Sequence, residues 1–148
     1  MPAGGAELVS AGVGALADLP LYLQDSVSTL TEVSAHGQRL QAEHGIRALV
    51  ADYLQMMLPD RRHASREVEV ASISRGLKRL AKEHKTVVMA LSQLSRASEA
   101  RRDKRPTLAD LRGSGAIEQD CDVALLLFRE DMYDPRDDNA GLAEVIVA

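Results

Sequence analysis

The sequence predicts an α/β domain in which a mostly parallel sheet is flanked by helices and ends in an antiparallel pair of strands. Three short apolar runs, at residues 46–54, 86–94 and 123–128, are typical of strands covered on both faces. An amphipathic stretch at residues 66–84 lies between the first two runs, and this strand–helix–strand order favours parallel pairing. No helical pattern separates residues 123–128 from a last run at 142–147, so that pair is expected to be antiparallel.

The length of 148 residues fits one domain with a sizeable core. Residues 1–15 are rich in Gly and Ala and are expected to be a loose lead-in, which leaves 16–148 as the domain. Residues 19–23 predict a short strand. No apolar run approaches the roughly 20 residues that span a bilayer, so no membrane association is expected. The single cysteine, Cys121, excludes an intramolecular disulfide, favours a cytoplasmic protein, and is expected to be buried where a strand begins.

Two helices carry clear local signals. Thr29 and Glu32 have the spacing of a capping box, and Gly45 lies where a C-terminal cap belongs. The helix between them repeats small and apolar residues at helical spacing: Leu30, Val33, Gly37 and Leu40. The helix at residues 66–84 places four apolar residues on one face, with charged residues opposite: Val70, Ile73, Leu77 and Leu80.

Charge is unevenly distributed along a chain whose net charge is −4. This balance argues against general binding of polyanions. Residues 96–112 nevertheless contain six cations against three acids, whereas residues 129–138 contain five acids against two arginines. The basic segment could hold phosphates locally, and the alternative is an ordinary solvated surface.

Residues 110–120 read Asp-Leu-Arg-Gly-Ser-Gly-Ala-Ile-Glu-Gln-Asp and are the most informative stretch of the chain. Gly113 and Gly115 permit a tight turn with outward amide groups, next to the guanidinium of Arg112. A helix is expected to begin near Ala116 and to add its positive end, a combination suited to a phosphate. The alternative is a helix–loop–helix connector in which the glycines serve only for turning.

Two polar residues follow neighbouring predicted strands. Asp52 comes after an apolar strand, and ligands of open α/β sheets bind at the carboxyl ends of strands, where an Asp can hold Mg²⁺ through water. Gln93 ends the next strand and could orient water or contact a γ-phosphate. The alternatives are an Asp that caps a loop and a Gln that merely satisfies a strand end.

Other chemistry lacks support in the sequence. None of the ten glycines precedes a lysine, so the phosphate-binding pattern G-x-x-x-x-G-K-[ST] is absent from these residues. The four histidines show no metal-ligand spacing with Cys121, and no serine lies in a G-x-S-x-G pattern.

Taken together, these motifs resemble the C-terminal RecA-like motor domain of the DnaB-type replicative DNA helicases, over residues 16–148. Pro-Leu-Tyr-Leu at 20–23 resembles the strand before the family's central helix, and Asp-Tyr-Leu-Gln at 52–55 resembles its Walker B strand. Residues 73–83 resemble the following helix, and Leu-Ser-Gln-Leu at 91–94 resembles the motif with the γ-phosphate-sensing glutamine. Residues 110–120 closely match the family's DNA-binding loop.

The resemblance implies a cytoplasmic homo-hexameric motor that couples ATP hydrolysis to translocation along single-stranded DNA and unwinds duplex DNA at the fork. It implies that Asp52 assists Mg²⁺ through water, that Gln93 contacts the γ-phosphate of ATP, and that Arg112, Gly113 and Gly115 grip the DNA backbone. Asp52 and Gln93 are thereby the candidate catalytic and cofactor-binding residues. Primase and a helicase loader are the further partners that the family suggests.

The chain also departs from the family pattern. The family's Walker A loop and catalytic glutamate precede the strand at 19–23, and its arginine finger follows the strand at 142–147; this chain has none of them. We therefore expect a piece of a longer sequence or a natural truncation. One alternative is a catalytically inactive remnant or subunit that binds DNA or helicase partners without ATP turnover. A recombinase or clock-type ATPase of the same fold is another, against which residues 110–120 argue.

Overall fold

The fold is seen in a computed structural model that describes residues 4–61, 63–111 and 114–148. Four helices and four strands lie within these ranges. In chain order they are α1 (Gly4–Ala17), α2 (Leu30–His44), β1 (Ala48–Ala51), α3 (Arg66–His84), β2 (Val87–Ala90), α4 (Ser114–Asp120), β3 (Leu125–Phe128) and β4 (Glu144–Val147). Short 3-10 turns occur at Leu54–Met56, Arg96–Ala100, Leu108–Asp110 and Glu130–Met132.

The strands form two separate pairs. β1 and β2 are parallel, with Ala48 opposite Val87, and α3 is the crossover between them. β3 and β4 are antiparallel, with Leu125 opposite Val147. The α/β class, the parallel βαβ unit and the antiparallel last pair are confirmed. The expected single, mostly parallel sheet is not observed in the described ranges, because β1 bonds only to β2 and β3 only to β4.

The beginning of the chain differs from the sequence prediction. Residues 4–17 form α1, so residues 4–15 are helical where the sequence predicted a loose lead-in. Residues 19–23 form no strand, since no neighbouring segment among the described residues bonds to them as a ladder. The apolar side chains of this stretch remain outside the core, and Leu23 is 86% exposed.

α3 lies at the centre of the packing, against α2, α4 and β2. The four apolar residues predicted for its inner face are all buried, and Ile73 is only 1% exposed. Three of them, Val70, Ile73 and Leu77, join a cluster that also contains Leu54, Met57, Leu111, Ile117 and Leu126. The core therefore connects the crossover helix to the segments that follow β1 and β2.

The helix ends follow their local signals. The Thr29 side chain accepts a hydrogen bond from the amide of Glu32, whose carboxylate accepts one from the Thr29 amide in return. Gly45 ends α2 with φ of 66°, a left-handed conformation that glycine adopts without steric cost. Ser65 caps the start of α3 through the amide of Val68. The predicted capping box and C-terminal cap are confirmed.

One face of each strand pair is exposed, contrary to the prediction of strands covered on both faces. Val50 is 61% exposed and Val87 is 66% exposed, while Leu49 and Val88 on the opposite face are half-buried. The antiparallel pair shows the same alternation, with its exposed side chains at Leu125, Leu127, Val145 and Val147. No helix in the described ranges is long and apolar enough to cross a bilayer.

Candidate functional site

The carboxyl ends of β1 and β2 lie side by side. Ala51 is opposite Ala90 in the parallel register, and the Leu91 amide donates to the Ala51 carbonyl at 2.9 Å. Asp52 therefore begins the loop after β1 at the same edge where Gln93 ends the segment after β2. Both residues are exposed. The prediction that they follow adjacent parallel strands joined by the 66–84 helix is confirmed by this register; their chemical roles stay a prediction.

Gln55 connects these two chain ends. Its Nε2 donates to the Ser92 hydroxyl at 3.0 Å, and its Oε1 accepts from the Gln93 amide at 3.3 Å. The loop that carries it leaves β1 through a cis peptide bond between Asp52 and Tyr53. Sequence reasoning placed Gln55 inside a family motif without assigning it a role. Its position three residues after Asp52 was the sequence feature that could have indicated its place at this edge.

Arg66 fixes the short turn that carries Gln55. Its Nη2 donates to the Gln55 carbonyl at 2.8 Å and to the Met57 carbonyl at 3.4 Å, while Nη1 pairs with Glu69 at 2.7 Å. Leu54, next to Gln55, is buried in the core, and its amide donates to the Leu91 carbonyl at 2.9 Å. The first turn of α3 and the core thus hold the turn that reaches across to Gln93.

The segment after Gln93 lies against the start of the 110–120 motif. Leu94 forms an antiparallel bridge with Leu111, and the Ser95 amide donates to the Asp110 carbonyl at 2.6 Å. Leu111 is buried in the core. Gln93 is therefore adjacent to Leu94, whose bridge partner Leu111 directly precedes Arg112 in the sequence.

Of the three predicted DNA-binding residues, Arg112 and Gly113 lie outside the described residues. Gly115 is the second residue of α4, where amides have no acceptor within the helix, and it is exposed with open space around its Cα. Its φ is not positive, so this glycine is not required for a left-handed turn. The helix begins at Ser114, close to the expected start near Ala116.

Asp110, the first residue of the motif, is fully engaged. Both of its carboxylate oxygens accept from Arg101, each at 2.6 Å, and Oδ2 also accepts from the amide and hydroxyl of Thr107 at 2.8 and 3.0 Å. The Arg101 guanidinium, followed by the Thr107 amide, holds the pKa of the Asp110 carboxyl well below its ordinary value. Asp110 is thus held by Arg101 and Thr107 together.

Several cations of the basic segment also hold the fold together. Arg105 pairs with Glu144 at the start of β4, with its closest contact at 2.6 Å, and its guanidinium lies over the Phe128 ring. The Lys104 ammonium donates to the Glu99 carbonyl and lies 5.1 Å from the centre of the Tyr133 ring. The basic segment is therefore anchored to the β3–β4 unit and presents fewer free charges than its composition suggests.

Arg96 and Arg102 are the exposed cations of the segment for which no ion pair occurs in the described part of the chain.

Cys121 is exposed, so the prediction that it is buried is wrong. It follows directly after α4, and its thiol donates to the carbonyl of Glu118 at 3.6 Å. The described residues hold no group of three or more His, Cys, Asp or Glu placed to bind a metal.

The side chains of Asp52 and Gln93 have the chemistry needed to contact the Mg²⁺ ion and a phosphate of a magnesium–nucleotide complex. Mg²⁺ is usually bound through one or two carboxylates together with phosphates and water, and the exposed carboxylate of Asp52 meets that need. The exposed amide of Gln93 at the same edge is suited to a phosphate oxygen or an attacking water. A glycine-rich phosphate loop with a lysine is not among these 148 residues.

A parallel βαβ unit with Asp and Gln at its carboxyl edge is typical of the α/β domains that bind ligands at the ends of their strands. The profile of the DnaB-like helicase C terminal domain matches residues 5–148. The chain belongs to this family, and the resemblance drawn from its motifs is confirmed. The match begins ahead of residue 16 and takes in most of α1.

Similar proteins agree with this assignment. The replicative DNA helicase DnaB of Leifsonia xyli subsp. xyli is 48% identical over 141 residues, which cover 95% of this chain and 31% of the relative. The replicative DNA helicase DnaB of Geobacillus stearothermophilus is 42% identical over 138 residues, with coverage of 92% and 30%. The chain therefore spans less than a third of the length of these relatives.

Solved structures show the same fold. A DnaB-like replicative helicase, described with its interactions with primase, has a TM-score of 0.85 and 37% identity, covering 94% of this chain and 35% of that one. A solved ATPase domain gives a TM-score of 0.88 at 37% identity, with coverage of 95% and 50%. The fold is thus the part of a RecA-like helicase ATPase domain that this chain spans.

Proposed function

We propose that this chain is part of an ATP-dependent replicative DNA helicase that translocates on single-stranded DNA and unwinds duplex DNA at the fork. One observation carries the proposal. The carboxyl edge that presents Asp52 and Gln93 is joined, through the Leu94–Leu111 bridge, to the residue that precedes Arg112. The edge that would bind the nucleotide and the motif that would bind DNA are therefore linked by one backbone bridge.

On the nucleotide side, Asp52 would hold Mg²⁺ through water, and Gln93 would contact the γ-phosphate of ATP. A bound Mg²⁺ supplies charge neutralisation for the phosphates during hydrolysis. Gln55 would keep the Gln93 backbone in place, because its amide bonds to both Ser92 and Gln93. The lysine that cradles phosphates in such ATPases would have to come from residues other than these 148.

On the DNA side, Arg112 with the amides of Gly113 and Gly115 would contact backbone phosphates. Contacts of this kind do not read bases, so binding should favour single strands without sequence preference and should weaken with salt. One copy offers few contacts. We infer a homo-hexamer for the complete protein, in which six such motifs would add through effective concentration.

Two further partners are part of the proposal. Primase is one, since a solved DnaB-like helicase of similar fold was described with its interactions with primase. A helicase loader is the other and follows from the family alone. This chain spans 31% of the length of the Leifsonia xyli relative.

The test is single-stranded DNA binding as a function of salt, measured by fluorescence anisotropy with a labelled oligothymidine. Arg112→Ala should weaken binding and flatten the slope of log affinity against log salt by about 0.7, the value for one phosphate contact on a single strand. Arg105→Gln is the matched control, because it removes the same charge from a side chain already paired with Glu144. Equal effects of the two substitutions, or no effect of either, would contradict the assignment of Arg112.

A further inference from the structure

We propose that Arg101 and Asp110 form a clasp that positions the DNA-contacting residues, so that both act as positioning residues for DNA binding. The clasp is the two-bonded pair in which the Arg101 Nη1 and Nη2 atoms each lie 2.6 Å from one oxygen of Asp110. The proposal rests on the proposed function, because it assumes that Arg112 contacts DNA. It assigns a task to an acidic residue that would otherwise repel DNA.

The burial of Asp110 is the first argument. Its side chain is 3% exposed, whereas that of Arg101 is 39% exposed. A buried carboxylate is costly unless its charge is matched and its oxygens are hydrogen-bonded. Asp110 meets both conditions, since Arg101 and Thr107 together supply four donors. Such a satisfied pair holds one geometry, which a surface ion pair rarely does.

The clasp also joins two segments of the chain, the basic segment and the start of the 110–120 motif. Arg101 also donates to the carbonyls of Arg105 and Asp103, at 2.9 and 3.4 Å, and so folds the basic segment around itself. The Asp110 carbonyl accepts from the Ser95 amide at 2.6 Å, next to the Leu94–Leu111 bridge. The clasp therefore fixes residue 110 against the chain that follows Gln93, two residues before Arg112.

Asp110→Asn separates positioning from plain electrostatics by the sign of its effect. The substitution removes a negative charge near the proposed DNA contact, so long-range electrostatics alone predicts tighter binding. Loss of the clasp predicts weaker binding, because Asp110 would no longer be fixed against the chain that follows Gln93. We expect affinity for single-stranded DNA to fall about tenfold, the effect of losing one hydrogen bond to a charged group.

Two further variants complete the design. Glu99→Gln is the matched control: it also removes one acid from the basic segment, but the described contacts give Glu99 only a backbone role, through its carbonyl. Arg101→Lys keeps the net charge and loses the planar fork that binds both carboxylate oxygens. Arg101→Lys should weaken DNA binding as Asp110→Asn does, whereas Glu99→Gln should bind as tightly as the unmodified chain or more tightly.

The experiment measures DNA affinity of the 148-residue chain and its variants at low salt, with amide hydrogen exchange at Ser95 on the same samples. Weaker binding and faster Ser95 exchange in both clasp variants, but not in Glu99→Gln, would support the clasp. Binding by Asp110→Asn that matches Glu99→Gln would overturn it. If the unmodified chain binds no DNA, the proposed function fails for this chain. Ser95 exchange then decides the clasp by itself, because unchanged exchange in both clasp variants would overturn it.

Discussion

A single methyl group added at Gly76 tests the packing that holds the crossover helix in place. Gly76 lies on the buried face of α3, and a Cβ built there would be 1.9 Å from Leu30 Cδ2 and 3.1 Å from Leu30 Cγ. Ordinary contacts begin near 3.4 Å. The added carbon therefore overlaps the Leu30 side chain, which must move or push α2 away from α3.

The expected magnitude combines two opposing effects. Overpacking of a core contact costs typically 1–3 kcal/mol, roughly 2 here. Replacing Gly by Ala within a helix returns about 1 kcal/mol through backbone entropy. Gly76→Ala should therefore lower the free energy of unfolding by about 1 kcal/mol. In a Leu30→Ala background the overlap is gone, and the same substitution should raise that free energy by about 1 kcal/mol.

The assay is urea unfolding followed by far-UV circular dichroism, with Gly37→Ala as the matched control. Gly37 is also a buried helix glycine, but a Cβ there would be 3.4 Å from Leu49 Cδ1, an ordinary contact. Gly37→Ala should therefore stabilise the chain by about 1 kcal/mol. Stabilisation by Gly76→Ala equal to that by Gly37→Ala would contradict the predicted overlap, as would an unchanged effect of Gly76→Ala in the Leu30→Ala background.

Four other outcomes are expected. Thr29→Ala should lower the free energy of unfolding by about 1 kcal/mol in the same assay, since it removes the cap of α2. The pKa of the Asp110 carboxyl is lowered in the folded state, so the unfolded chain takes up the proton first as pH falls. The free energy of unfolding should therefore decrease from about pH 5 downward, and it should decrease less steeply in Asp110→Asn. Urea titrations at several pH values measure both slopes. Gln55→Leu should speed hydrogen exchange at the Gln93 amide, because that amide loses its acceptor, the Gln55 side-chain oxygen. An unchanged exchange rate would contradict the Gln55–Gln93 hydrogen bond. The chain by itself should show no DNA-stimulated ATP turnover above background, and turnover that Asp52→Ala abolishes would contradict this.

Helices α2 and α3 were the part of the fold that the sequence predicted best, whereas α1 was not predicted. The bounds of α3 and its four buried apolar residues agree with the pattern, and the capping box at Thr29 is present. These features depend on residues three or four positions apart, so the information lies within one short stretch of sequence. The order of strands and the parallel crossover were predictable for a related reason, because connection length restricts how two strands can pair.

The strands show where local pattern fails. Residues 19–23 have the composition of a strand, yet they form none, because a strand exists only through bonds to a neighbour. Apolar runs were read as covered on both faces, whereas Val50 and Val87 face outward. Composition shows that a segment can be buried, but only the assembled layers show whether something covers it.

The candidate site shows the same contrast between what a short stretch of sequence predicts and what depends on packing. The sequence by itself determined that Asp52 and Gln93 follow consecutive strands of a βαβ unit and that Arg112, Gly113 and Gly115 lie in one short motif. Only the tertiary structure decided that Gln55 bonds across 37 positions to Ser92, that Arg105 pairs 39 positions away with Glu144, and that Arg101 occupies Asp110. Residue order and helical periodicity are properties of short stretches, whereas hydrogen-bond partners distant in sequence meet only after the core has packed.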